Sequence, residues 1–270
     1  MSMCELLAMS ARVPTSLHLS MDELARHGGG TGPHRDGWGV AYVQDGDALI
    51  VREPDAAHDS RHLAFLQAED PESTIVVAHV RRATQGPRML RNTQPFSREL
   101  GGRIHLFAHN GMLPGIETHH RHRPRWYRPI GDTDSEYAFC GLLDRVRPLW
   151  ERGVPSLDDR LDVVAAFAAE LRPLGPANFI YTDGELIFAH GHRRRGDSGE
   201  LEPPGLYVLC RRCAAEHEKR HATDQEVALV ASVPLSGEAW APLAEGEIVV
   251  LRDGRVIRRA EAVSTSRASS

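Results

Sequence analysis

Lysine is almost missing from this chain. One residue, Lys219, stands among 32 basic side chains, so positive charge is carried by arginine, a bias that points to codon usage rather than to chemistry. Cysteine is also scarce: Cys4, Cys140, Cys210 and Cys213 are too few and too scattered for the disulfide framework of a small secreted domain. A reducing, cytoplasmic setting is the expectation. No apolar run approaches the roughly 20 residues of a membrane span, and MSMCELLAMSARV lacks a basic region ahead of an apolar one, so neither anchor nor export signal is expected. Charge of one sign is not in excess either, with 32 basic against 37 acidic residues and a net −5. That balance gives no general attraction to nucleic acid or to an anionic membrane. The G-x-S-x-G of a serine hydrolase is absent, and GGGTG (28–32) lacks both the lysine and the strand-to-helix setting of a nucleotide loop.

What is present is a globular composition of 270 residues, 41% of them hydrophobic, long enough to bury a sizeable core as one large domain or two small ones. Fifteen histidines would carry the formal charge from −5 to +10 if all were protonated in mild acid. Residues 3–9 (MCELLAM) read as a buried first strand. Ser20 to Glu23 has capping-box spacing and predicts a short helix over 21–27, before a glycine-rich loop, GGGTGPHRDGWG (28–39). WGVAYV, a turn at Asp45-Gly46 and DALIVRE form a hairpin pattern. Ser60 caps a helix through about 67, and the β-branched TIVVAHV (74–80) reads as an interior strand. RIHLFAH (103–109) is strand-like and ends at Asn110-Gly111. A second capping box at Thr133–Glu136 opens an amphipathic helix through Leu149, and Ser156 caps another whose apolar face includes Leu161, Val164, Phe167 and Leu171. Asp-Gly turns at 183–184 and 253–254 mark two hairpins around strand-like 205–210 and 227–233. Strands, two helices, then strands, without a repeat, predict one α+β domain over 1–260 with helices packed on antiparallel sheets, and a disordered tail at 261–270.

Several residues have both a bland and a chemical reading. Cys4 is a small core residue or, if it becomes the N-terminus, a thiol whose own α-amine, with a pKa of about 8, serves as its base. Asn110-Gly111 is a hairpin signal or a pair of N–H donors for an oxyanion. Arg81 is solvated or holds a carboxylate through its planar fork. Asp134 complements a helix dipole or faces a substrate ammonium.

These pieces occur together and in order: MCELLAMS, HRDGWG, AHVRRATQG, NTQPF, FAHNG and GDTDSE, then more weakly NFIYTDG, ASVPLSGEAW and EIVVLRDG. In that joint pattern the chain resembles the class II glutamine amidotransferases of the N-terminal-nucleophile (Ntn) hydrolase group over nearly its whole length. The resemblance implies a four-layer αββα sandwich and a glutaminase half-reaction on the side-chain amide of glutamine or a γ-glutamyl amide, through a thioester and without a cofactor. It assigns Cys4 as nucleophile, Asn110 and Gly111 as oxyanion hole, Arg81 and Thr84 to the substrate α-carboxylate, and Asp134 to the α-ammonium. In the family the nucleophile directly follows the initiator methionine. Met1-Ser2-Met3 precede it here, so either translation begins at Met3, which is the expectation, or a short leader is cleaved, or the chain as written is inactive.

Two other readings stand beside this one. The site could act on a larger γ-glutamyl conjugate, as in relatives of the ergothioneine pathway, with the arginine-rich 119–128 on the acceptor side. Alternatively, Cys210, Cys213, His217 and His221 could hold zinc in a non-catalytic subunit, although their spacing is shorter than a usual finger. The expected partner is a small-molecule substrate, with an acceptor-enzyme subunit or a second copy left open.

Overall fold

The computed structural model describes residues 4–30, 32, 34–196, 199–213 and 225–262. The chain begins with strand β1 (Glu5–Thr15), helix α1 (His18–Ala25), strands β2 (Trp38–Gln44) and β3 (Asp47–Glu53), helix α2 (Arg61–Glu69) and strand β4 (Ser73–Val80). Strands β5 (Phe96–Leu100) and β6 (Arg103–Gly111) lead to helices α3 (Asp134–Trp150) and α4 (Leu157–Leu171). The second half is built of β7 (Ala177–Thr182), β8 (Ile187–His190), β9 (Arg194–Arg195), β10 (Leu201–Glu202), β11 (Tyr207–Cys213), β12 (Gln225–Ala231), β13 (Ala241–Pro242), β14 (Ile248–Arg252) and β15 (Arg255–Ala260).

These strands form two large antiparallel sheets, ordered β13-β11-β12-β1-β4-β2-β3 and β15-β14-β8-β7-β6-β5, beside the small β9–β10 hairpin. Alternation along β1 shows how they stack. Leu7 and Met9 join α1 and α2 in one apolar cluster with Leu24 and Leu63, whereas Leu6 and Ala8 join Leu106, Ala108 and Ile180 of the second sheet in another. On the far side, Phe107, Phe179 and Phe188 pack against Phe139, Leu142 and Phe167 of α3 and α4. The result is the αββα sandwich that the sequence motifs imply.

Turn chemistry agrees with the pattern. Asp45 and Gly46 both take positive φ (53° and 84°), as a tight two-residue hairpin requires, and Asp253 and Gly254 repeat this (51° and 75°). The hydroxyls of Ser60, Thr133 and Ser156 accept from Leu63, Glu136 and Asp159 backbone N–H and cap their helices as expected.

One local expectation fails, and so does one of the two readings of Asn110-Gly111. Helix α1 starts three residues before the predicted one, and Ser20 lies inside it as a buried residue rather than capping it. The core decides this start, because Leu17 and Met21 sink into the same apolar cluster as Leu24 and the Met21 N–H bonds the Leu17 carbonyl. Asn110-Gly111 is not a hairpin turn either. Both residues remain in β6 opposite Asn178 and Ala177, and the β5–β6 turn is made by Gly101 and Gly102. Residues 263–270 of the expected tail lie outside the described residues. Among the described residues no helix is long and apolar enough to cross a membrane.

Candidate functional site

The candidate residues meet where the two sheets face each other at one end. Glu5 of β1 is opposite Val80 of β4, so the next pair outward brings Cys4 beside the segment that leaves β4 at Arg81. There the Arg82 N–H donates to Cys4 Sγ and the thiol donates to the Arg82 carbonyl, both at 3.2 Å. Burial pushes the Cys4 thiol up to about 11, against the opposing pull of the Arg82 N–H and the Arg81 charge; Asp134 raises it further. With a peptide bond on its nitrogen, Cys4 is therefore a protonated thiol at neutral pH.

Arg81 is 3% exposed. Its backbone continues the β2–β4 ladder through Gly37 and Asp36, which places HRDG against it. The guanidinium gathers the chain around itself: Nη1 donates to the Asp36 and Pro87 carbonyls (3.3 and 3.2 Å), Nη2 to those of Gln85 and Gly86 (2.9 and 3.0 Å). Thr84 lies exposed on the same loop. Asn92, fully buried, closes that loop by donating to the Pro87 carbonyl and accepting from Asp132 N–H.

Across the sheet interface, ladder alternation sets the donors of β6. Met112 N–H bonds the Pro176 carbonyl on the β7 side, so the N–H groups of His109, Gly111 and Leu113 point to the other edge, where β5 has ended. His109 N–H finds the Gln94 side-chain oxygen at 2.5 Å and Leu113 N–H the Asp134 carboxylate at 2.7 Å. Gly111 N–H lies between them on that edge. A Cβ at Gly111 would come within 1.8 Å of the Pro176 carbonyl oxygen. Glycine is thus required by the neighbouring strand.

Asn110 is fully buried and points into the interface between sheets. Its Nδ2 donates to Ser232 Oγ at 3.0 Å, while Oδ1 has no hydrogen-bond partner among the described residues. Asp134 opens α3 one residue after its Thr133 cap and is 4% exposed; it also accepts from Ser135 N–H. Glu136 of the same motif accepts from Ile130 and Gly131 N–H and pairs with Arg98, which fixes the turn leading to Asp134.

The fold therefore brings Cys4, Arg81, Asn110, Gly111 and Asp134 to one end of the sandwich, with a cation, an anion, a thiol and N–H donors in a largely buried setting. Gln94, Asn92 and Ser232 belong to this constellation although sequence reasoning gave them no role; they lie in NTQPF and ASVPLSGEAW, segments noted only for their likeness to the family. Cys210 is exposed. The side chain of Cys213, and His217 and His221, lie outside the described residues, and no group of three metal-binding side chains occurs among the described ones.

Comparison with known proteins converges on one family. The family model described as "Glutamine amidotransferases class-II" matches residues 3–270. YafJ of Escherichia coli (strain K12), named as a glutamine amidotransferase, is 35% identical over 247 residues, covering 91% of this chain and 96% of the relative. A Pseudomonas aeruginosa PA01 crystal structure titled as a glutamine amidotransferase superposes with a TM-score of 0.69 at 31% identity, over 94% of this chain and all of that one. The glutamine phosphoribosylpyrophosphate amidotransferase of B. subtilis shares the fold at 14% identity, with a TM-score of 0.63 over 96% of this chain and 49% of its own.

Proposed function

This chain belongs to the class II glutamine amidotransferases, and from that premise we propose that it hydrolyses the side-chain amide of glutamine or a γ-glutamyl amide, with Cys4 as nucleophile once residues 1–3 are removed. The observation that carries this reading is the convergence of Cys4, Arg81, Asp134 and Asn110 where β1, β4, β6 and α3 meet. Opposite charges on Arg81 and Asp134 suit the α-carboxylate and α-ammonium of an amino acid, with Arg81 acting through its charge because its Nη groups already serve four backbone carbonyls, and holding both ends leaves the far amide to the thiol.

Removing the three residues changes Cys4 from an amide-capped thiol into one carrying a free amine. That amine takes the thiol proton as sulfur bonds to the amide carbon. Negative charge then develops on the amide oxygen, where the Asn110 Nδ2 and Gly111 N–H donors would stabilise it. The C–N bond breaks, the amine's proton leaves with ammonia, and a γ-glutamyl thioester remains. Water adds with its proton going to the amine, the C–S bond breaks, and glutamate and the thiol are restored.

The experiment combines N-terminal mapping with a glutamine-mimicking diazoketone. Protein beginning at Cys4 should take one label, on Cys4, and release ammonia from glutamine or a γ-glutamyl amide. Protein with a mapped Cys4 terminus that takes no label and releases no ammonia sinks the proposal.

A further inference from the structure

The residue after β12 departs from the ladder that surrounds it. Leu7 pairs with Ala231, so Leu6 and Ser232 are the next partners, and Ser232 N–H donates to the Leu6 carbonyl at 3.0 Å as the antiparallel pattern demands. The return bond does not go to the Ser232 carbonyl. Leu6 N–H donates to Ser232 Oγ at 3.1 Å, and the carbonyl accepts from Arg194 Nη1 at 2.8 Å instead. A side-chain hydroxyl thus stands in for a backbone acceptor two residues from Cys4.

The same oxygen accepts from Asn110 Nδ2, at 3.0 Å. Two donors from two different sheets occupy the two lone pairs of one fully buried hydroxyl. This fixes how the Asn110 carboxamide is turned. One Nδ2–H is committed to Ser232, the plane of the amide follows from that bond, and the second Nδ2–H has a single direction left.

We propose that Ser232 is a positioning residue that orients the Asn110 carboxamide as an oxyanion donor, with Arg194 holding Ser232 in place through its carbonyl. The inference rests on the proposed function above, because only an amide-cleaving site has an oxyanion to meet. Ser232 does not touch the reacting atoms. It sets the angle of the group that does, and an angular error there weakens the transition state more than the ground state.

The test uses protein beginning at Cys4 and the variants Ser232→Ala, Asn110→Ala and the double variant. Ser232→Ala should lower kcat for glutamine by about tenfold to a hundredfold with KM changed by less than about threefold, since Arg81 and Asp134 are untouched. It should also weaken, by a factor matching the fall in kcat, binding of the γ-aldehyde analogue of glutamine, which forms a tetrahedral adduct on the thiol. In the Asn110→Ala background the Ser232→Ala effect should vanish, because Ser232 acts through that side chain. Ser232→Thr, which keeps the hydroxyl, should recover most of the loss. Full additivity of the two substitutions, equal losses in aldehyde affinity and glutamine KM, or a kcat effect within twofold each overturn the proposal. If Ser232→Ala does not fold, Ser232→Cys of similar volume and poor acceptor strength takes its place with the same criteria. Wild-type protein with a free Cys4 that releases no ammonia removes the glutaminase reading itself, whereas an active wild type with additive variants removes only the role of Ser232.

Discussion

Each site residue has a distinct physical role, so each variant should fail differently. Cys4→Ala deletes the nucleophile and two hydrogen bonds to Arg82, while leaving the ladder around Leu6 and Leu7 intact. Turnover should fall by more than about a thousandfold, with the melting temperature nearly unchanged. Protein that keeps residues 1–3 should be inert for a different reason. Its thiol, pushed up to about 11, is ionised in only about one molecule in ten thousand at pH 7, so iodoacetamide should modify Cys4 slowly there and faster as pH rises toward 11. Asp134→Asn removes the counter-charge for an ammonium, and should raise KM about tenfold for substrates with a free α-amine and much less for N-acylated ones, measured side by side. The residues with recognisable chemistry were legible in the sequence: a cysteine before the first strand, an arginine after an interior strand, an aspartate behind a cap. Gln94 and Ser232 were not, because their partners His109 and Leu6 are 15 and 226 positions away and meet them only through strand register.

At the scale of elements, local sequence accounts for the hairpins, the capped helices and the buried strands, since Asp-Gly turns and hydroxyl caps act over three or four residues. The start of α1 was misplaced because burial of Leu17 and Met21 outweighs a capping pattern that is only a local preference. The loop after α1 shows how an element supports the site from outside it. His27 bonds Glu5 of β1 at 2.7 Å and Glu23 of α1 at 3.3 Å. Its carbonyl accepts from His34, and Arg35 reaches the Gly29 carbonyl, so the glycine loop is tied to the strand that carries Cys4. The bond to Glu5 raises the His27 pKa above the ordinary histidine value, with burial acting against it. A group raised on folding contributes its full stability below its unfolded pKa, near 6.5, and loses that contribution as pH rises through the folded value. Glu5→Gln should therefore cost about 2 kcal/mol, or about 5 °C in Tm, at pH 6. The gap should narrow by pH 9. A difference in Tm that is constant across this range would show that the charge on His27 does not hold the loop.

At the scale of the whole molecule, composition predicts that mild acid adds up to fifteen charges to the chain, and the fold withholds several of them. His79, on β4 in the layer between the sheets, is pushed down to about 3, chiefly by burial and then by the Arg81 charge. His190 is likewise held to about 3 by burial, against the support of the Ala177 carbonyl. His105 falls to about 4, mainly from burial, while it bonds Tyr181 and the Leu100 carbonyl. Burial and the nearby Arg145 lower His122 to about 4. His79 lies between the sheets, whereas His105, His190 and His122 pack against Trp150, Phe179 and Phe167 on the helix side of the second sheet, so their behaviour belongs to the sandwich and not to one site. Unfolding frees them to take up protons near pH 6.5, and the folded chain accepts those protons only below about 4. Between these limits the unfolded state binds more protons, so stability must fall as pH falls, by about 1.4 kcal/mol per pH unit for each group. Four groups together give about 5 kcal/mol per unit, against a total of about 5–15 kcal/mol for a typical domain. Above pH 7 the urea midpoint should change only by the His27 contribution lost there; below it the midpoint should drop steeply between pH 6.5 and 5 and bring the molecule to unfolding before pH 4. Calorimetry at pH 5.5 in buffers of differing ionisation enthalpy should show a net uptake of several protons per chain unfolded. A midpoint that stays flat to pH 5, or an uptake below about one proton, would mean that these imidazoles already carry their protons inside the fold.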